Sequence, residues 1–278
     1  MGTSDIPPPG VPDYVIPVSG HMLSVAGTLW TVSYLLYARE SLRSKSYGMP
    51  IAALAINFGW EVVNAFYVAE APLERAVITI WCLIDLGLFY GVVRHGPREW
   101  DRGAGGRRTT WVSRNLVGVF GLMVVLSVWA NWAFAHWWIE NEVVRREGKF
   151  YGGKLVADTT EMGYWTACFA QVFLSAASLA QLLVREHSGG VSWAIWATRF
   201  TGSVIGLWGA YLWLWFHWPE GHPYVTSEIS IFFMAVSCAC DAAYAPVLWS
   251  VQRTEKVMPD GSKVSGSYVE PDKQSKAL

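Results

Sequence analysis

Seven runs of predominantly apolar residues punctuate the chain, at 16–37, 49–68, 76–93, 115–138, 161–184, 192–217 and 226–251. Each approaches or exceeds the roughly 20 apolar residues that a helix needs to cross a bilayer. The pattern predicts an all-α integral membrane protein, a seven-transmembrane-helix bundle over 16–251, with a short segment at 1–15 outside it. Most connections are short, so neighbouring helices are expected to pack antiparallel; the longer ones, at 94–114 and 139–160, are rich in Arg, Glu and Gly. The stretch at 252–278 is polar and is expected to be disordered.

Loop charges orient the bundle. Fifteen Lys and Arg fall on the side of the first, third and fifth loops and the tail, and five on the opposite side, with Arg199 inside a run. The positive-inside rule therefore predicts a lumenal N-terminus and a cytosolic C-terminus, with the endoplasmic reticulum as the expected membrane. The first fifteen residues carry Asp5, Asp13 and a proline run but no Lys or Arg, so no removable signal peptide is expected.

Composition agrees with a lipid environment. Hydrophobic residues make up 53% and charged residues only 15%, against roughly 25% charged in a soluble domain. A net charge of −1 lacks the basic footprint of a nucleic-acid binder. The lipid bilayer is the partner this composition calls for, and no obligate protein partner is evident. All four cysteines lie inside apolar runs and read as small packers. Gly87–Gly91 and Gly202–Gly206 have the spacing that lets membrane helices approach closely. Cys168, Gln171, Ser175 and Ser178 form a polar stripe that reads as an interhelical hydrogen-bonding seam. Tyr211, Trp213, Trp215 and Trp218 read chiefly as an interfacial aromatic belt.

Ionisable residues at bilayer depth are costly, about 2.5–3.5 kcal/mol or more, and so point to function. Four are present: Glu61, Asp85, Arg199 and Asp241. Asn57, Glu61 and Asn64 share a helix face by their spacing of four and three. A carboxyl at that depth is disfavoured as an ion, and a neutral acid in a dry site is a proton donor. Asp241 shares a face with Tyr244, and Pro246 is expected to kink the helix just beyond it. Arg199 and Asp85 read more readily as structural, paired or snorkelling charges.

Several chemistries are excluded. No run carries a Lys, so a retinal-type Schiff base is ruled out, and HExxH, P-loop and GxSxG patterns are lacking. Aspartate-rich DDxxD and DxDD sequences are also lacking, so no metal or other cofactor is expected.

Tyr47-Gly48-Met49-Pro50, then Asn57, Trp60 and Glu61, resemble the fungal membrane-bound terpene cyclases of meroterpenoid and indole-diterpene biosynthesis, the paxilline and pyripyropene cyclase type. Arg98-Glu99-Trp100, Trp196, Arg199-Phe200, Trp218-Pro219-Glu220, and Asp241 with Tyr244 and Trp249 extend the resemblance over most of the chain. It implies an enzyme of secondary metabolism, of isomerase or lyase type, acting without metal. Such an enzyme protonates a terminal epoxide, less often an olefin, of a prenylated aromatic, polyketide or indole substrate, and the carbocation then cyclises. Glu61 and Asp241 match the family's essential acids, and Asn57, Trp60, Asn64, Arg199 and Tyr244 are the substrate-binding candidates. The loop at 140–160 and the tail look longer than is typical. A seven-helix receptor or transporter is the alternative; an inverted repeat, which would favour a transporter, is not evident.

Overall fold

The computed structural model describes residues 2, 4–102 and 110–269. Arg107, Arg108, Lys273 and Lys276, counted above among the loop and tail charges, lie outside the described residues. The chain runs α1 (Val15–Ser44), α2 (Ile51–Val63), α3 (Pro72–Arg102), α4 (Thr110–Glu140), α5 (Thr159–Arg185), α6 (Trp193–Ser203), α7 (Ala210–His217) and α8 (Glu228–Thr254). A π-helical turn, Asn64–Val68, ends α2, and a second, Val204–Gly209, joins α6 directly to α7. Among the described residues, six helices are long and apolar enough to cross a membrane: α1, α2 with its π turn, α3, α4, α5 and α8. The run at 192–217 forms the three consecutive pieces α6, π turn and α7 instead of one regular helix.

Local chemistry sets the ends. Asp158, Ser192 and Ser227 cap α5, α6 and α8 by accepting from the amides of Glu161, Ile195 and Ser230, donors that a helix start leaves without partners. The helices also present broad apolar faces to the outside. Leu83, Leu86 and Tyr90 on α3 and Leu122, Val125 and Trp129 on α4 are all exposed. In water a surface of this kind would be an association site; around six membrane-length helices it is the lipid face.

α1 is the hub. Gly87 and Gly91 of α3 meet Ala38 and Ser41 of α1, and Gly202 and Gly206 meet Trp30 and Ala26, so both glycine pairs sit where a side chain would push another helix off α1. A Cβ at Gly87 would already stand 3.4 Å from that of Ala38.

The ends of the bundle are closed by polar clasps. At one end Arg185 stacks on Tyr47 at 3.9 Å and donates to its carbonyl, and Gly48 packs on the backbone of Gly190. The segment after α8 departs from the expected disorder. It folds as an antiparallel hairpin, β1 (Lys256–Val257) with β2 (Lys263–Val264), turning at Gly261 with φ +82°. Arg98–Asp260 at 2.7 Å and Lys263–Glu255 at 2.8 Å pin it to the bundle, and Val264 is buried. Two-residue strands and polar anchors carry too little hydrophobic pattern to be read from the sequence.

At the other end, the N-terminal segment, the loop after α4 and the turns after α7 interlock. Lys149 is fully buried, 2.7 Å from Asp5 and 4.7 Å from the Trp218 ring centre. Trp218 and Tyr211, expected in the interfacial belt, face inward: Trp218 sits under Lys149, and Tyr211 packs on Tyr164.

Candidate functional site

The intramembrane charges divide between two networks, both reaching α1. The first surrounds Glu61, which has no exposed surface. Its Oε1 accepts from the Tyr34 hydroxyl at 2.8 Å and from Asn57 Nδ2 at 2.7 Å, and Asn57 also donates to Tyr34 at 2.6 Å. Its Oε2 has no partner. With Oε1 already accepting from two donors, Oε2 is the oxygen left to carry a proton.

No described Lys or Arg pairs with Glu61. Its neighbour is another acid, since the carboxyl of Asp85 on α3 lies against it, with Cys82 one turn before Asp85 also in contact. Asp85 is fully buried, and both its oxygens lack a close hydrogen-bond partner. Two carboxylates in contact away from water cannot both be charged. The structure thus changes the reading of Asp85, which the sequence placed among the structural charges.

Aromatic rings cluster on Tyr34 and, separately, on Phe89. Trp30 and Trp81 flank Tyr34 at 5.7 and 6.0 Å between ring centres. Phe58 and Phe120 both pack on Phe89 at 4.8 Å. Trp60 points the other way, donating to Thr166 of α5 at 2.9 Å. Asn64 does not join Glu61 as its spacing suggested. It begins the π turn with helical dihedrals, and its side chain turns back on its own helix, Nδ2 donating to the carbonyl of Trp60 at 2.8 Å. Its Oδ1 is buried without a partner.

The second network centres on Asp241. Arg199 of α6 ion-pairs with Oδ1, while Oδ2 accepts from Ser175 at 2.8 Å and from Gln171 at 3.4 Å. Arg199 also donates to Ser178 at 2.8 Å, contacts the Tyr37 hydroxyl, and lies 5.5 Å from the Tyr244 ring centre. Ser203 donates to Gln171 Oε1 at 2.9 Å. The α5 polar stripe is the interhelical seam expected of it through Gln171, Ser175 and Ser178. Arg199 does not snorkel: it is 1% exposed and committed to Asp241.

The two networks have opposite chemical character. The Asp241 carboxyl carries a guanidinium, a hydroxyl and an amide, whereas Glu61 has no described cation beside it. Reading the sequence alone missed Tyr34, Tyr37 and the contact of Asp85 with Glu61. The Tyr34–Tyr37 spacing and the presence of Asp85 at bilayer depth were the available signals.

Comparison with known proteins identifies relatives of the chain. The family described as Pyr4-like transmembrane terpene cyclases matches residues 3–254. The chain is similar to the terpene cyclase ascF of Acremonium egyptiacum, 41% identical over 93% of this chain and 91% of that protein. It is 30% identical to the terpene cyclase macJ of Penicillium terrestre over 84% and 81% of the two chains. It is also 29% identical to the Pyr4-family terpene cyclase mfmH of Annulohypoxylon moriforme over 88% and 91%. No solved structure matches the chain.

Proposed function

The chain belongs to the Pyr4-like transmembrane terpene cyclases, and from that premise we propose that Glu61 starts the reaction of this membrane enzyme by protonating its substrate. The substrate class is a prenylated aromatic, polyketide or indole compound ending in an epoxide or an olefin. The observation that carries the reading is the Glu61 carboxyl itself: fully buried, paired with no cation, with Oε1 held by two donors and Oε2 free.

Protonation of an epoxide oxygen lets its C–O bond open to a carbocation, which the prenyl double bonds attack in turn. General acid catalysis of this kind contributes roughly 10²–10⁴-fold. Tyr34 and Asn57 orient the acid and take up negative charge as the proton leaves. The faces of Trp30, Tyr34 and Trp81 suit a developing cation. Trp60 and the free Oδ1 of Asn64 are the groups of α2 and its π turn available to the substrate, with Tyr244 beside Arg199 on the second network. Asp241, locked by Arg199 and Ser175, serves as a fixed negative charge and not as the proton donor.

The pieces α6, π turn and α7 complete a seventh crossing in this reading. The bundle sits in the endoplasmic reticulum with the Asp5–Lys149 end lumenal and the hairpin end cytosolic, which the loop charges support. A receptor or transporter has no specific feature in its favour.

The test is Glu61→Gln beside Asp241→Asn in microsomes given a panel of epoxidised farnesyl phenols. Glu61→Gln keeps the shape and hydrogen bonding but not the acidic proton, and should lose at least ~10²-fold in product. Wild-type product from Glu61→Gln at matched protein levels removes it as the acid. Glu220→Gln and Glu228→Gln, both exposed, should stay active.

A further inference from the structure

The acid of the proposed mechanism does not stand alone. We infer that Asp85 is the proton partner of Glu61, holding a second proton beside it and passing that proton to Glu61 once the first has gone to the substrate. The inference rests on the reading of Glu61 as the acid and adds a third intramembrane acid to it.

Three observations carry it. Asp85 comes from a different helix, α3, yet its carboxyl contacts that of Glu61 on α2. Its two oxygens are buried without a close hydrogen-bond partner, only the Asn57 amide standing near, a state that disfavours an ionised carboxylate away from water. The guanidinium that could have neutralised it, Arg199, is committed to Asp241 in the other network. The remaining groups facing the pair are Tyr34 from α1, Asn57 from α2 and Cys82 from α3, none of them a cation. Two neutral carboxyl groups facing each other satisfy these conditions.

The proton balance closes. Glu61 Oε2–H breaks as the epoxide oxygen gains the proton and the oxirane C–O bond opens. Glu61 is then a carboxylate held by Tyr34, Asn57 and Asp85. The Asp85 O–H bond breaks, the Glu61 O–H bond re-forms, and the charge moves to Asp85. When the last cation loses a C–H proton to form its C=C bond, that proton restores Asp85. A lone Glu61 would stay ionised until that final C–H proton reached it.

Infrared spectra of the full-length wild type, labelled with ¹³C-aspartate in lipid nanodiscs at neutral pH, read the second proton directly. A protonated-carboxyl C=O band that shifts with the label, and that Asp85→Glu removes, is expected. A wild type with no such band, or with one that Asp85→Glu leaves in place, overturns the inference without any need for an active variant. Kinetics supply the second reading, on the epoxidised farnesyl phenol that the wild type converts. Asp85→Asn should give one fast equivalent of product and then steady turnover at least ~10-fold slower, and Asp85→Glu should restore steady turnover. Undiminished steady turnover in Asp85→Asn overturns the inference. An inactive Glu61→Gln together with a missing aspartic acid band separates failure of the partner from failure of Glu61 as the acid.

Discussion

Tyr34 and Tyr37, one turn apart on α1, reach the two separate networks: the Tyr34 hydroxyl donates to Glu61 at 2.8 Å, and Tyr37 contacts Arg199, which holds Asp241. A single helix therefore fixes the proton-bearing acid and the ion pair relative to each other. Both glycine pairs hold α3 and α6 close against this same helix. The precision of the site is thus a consequence of small residues that let α1 sit at the centre.

Tyr34→Phe tests the first half of that relationship. The ring stays between Trp30 and Trp81, so packing changes little, but Glu61 Oε1 loses one of its two donors. A hydrogen bond to a charged group is worth about 1.5–3 kcal/mol, and the charge on Glu61 exists only after proton transfer. The expected result is kcat lower by roughly tenfold or more with KM almost unchanged. Steady-state rates in microsomes at matched protein levels decide it; an unchanged kcat removes Tyr34 from the site.

The ion pair calls for a different experiment. Removing one member of a buried pair strands the other and costs about 3–5 kcal/mol, whereas replacing both with apolar residues is often neutral. Arg199→Met should therefore lower the melting temperature of the purified protein sharply, and Arg199→Met with Asp241→Leu should recover much of it. Activity should stay low in the double variant, because the fixed negative charge is gone. A double variant that regains activity along with stability would reduce Asp241 to a structural role.

Much of this was legible in the sequence, and the failures have causes. Runs of apolar residues gave six membrane-length helices because a bilayer allows few alternatives to a helix. The run at 192–217 was read as one helix, yet Val204–Gly209 winds as a π turn, which preserves hydropathy and so leaves no trace in a hydrophobic pattern. Asn64 keeps the spacing that puts it beside Glu61, yet its side chain bonds the Trp60 carbonyl instead, a choice that spacing does not reveal. Glu61, Asp241 and Arg199 stood out because charge at that depth is rare. Their grouping did not, since Asp85 meets Glu61 only across two helices, and Arg199 meets Asp241 across forty-two positions of sequence. The hairpin after α8 is held by Asp260 and Glu255, ordinary surface residues until their partners are placed.

Membrane orientation follows from the charge asymmetry and has a direct check. A glycosylation reporter at the N-terminus should be modified in the endoplasmic reticulum, and the same reporter after residue 278 should not. Modification at the C-terminus alone reverses the assignment, and modification at both ends removes the seventh crossing.

The clasp at the Asp5–Lys149 end should loosen in acid, and His222 gives the reason. Its Nε2 lies 3.2 Å from the Lys149 ammonium, which can only donate, so His222 accepts there, and its Nδ1–H donates to the Tyr224 hydroxyl at 2.8 Å. Burial, and then Lys149 and Arg146, push its pKa from 6.5 down to about 2. The folded clasp therefore holds His222 neutral, while an opened clasp lets it take a proton. Stability from this group is complete above pH 6.5 and is lost as pH falls from 6.5 toward about 2, at up to about 1.4 kcal/mol per pH unit. Asp5 works in the opposite direction. Burial outweighs Lys149 and raises it above 3.8, so its folded form gains a proton first and the net slope flattens at the acidic end. Protease cleavage within the loop at 142–157 of the purified protein should accelerate between about pH 7 and about pH 5, the range in which an unperturbed histidine charges. His222→Gln, which keeps polar atoms but cannot charge, should cleave at a rate nearly independent of pH over that range. A wild type as flat as His222→Gln would mean that the loop opens without exposing His222.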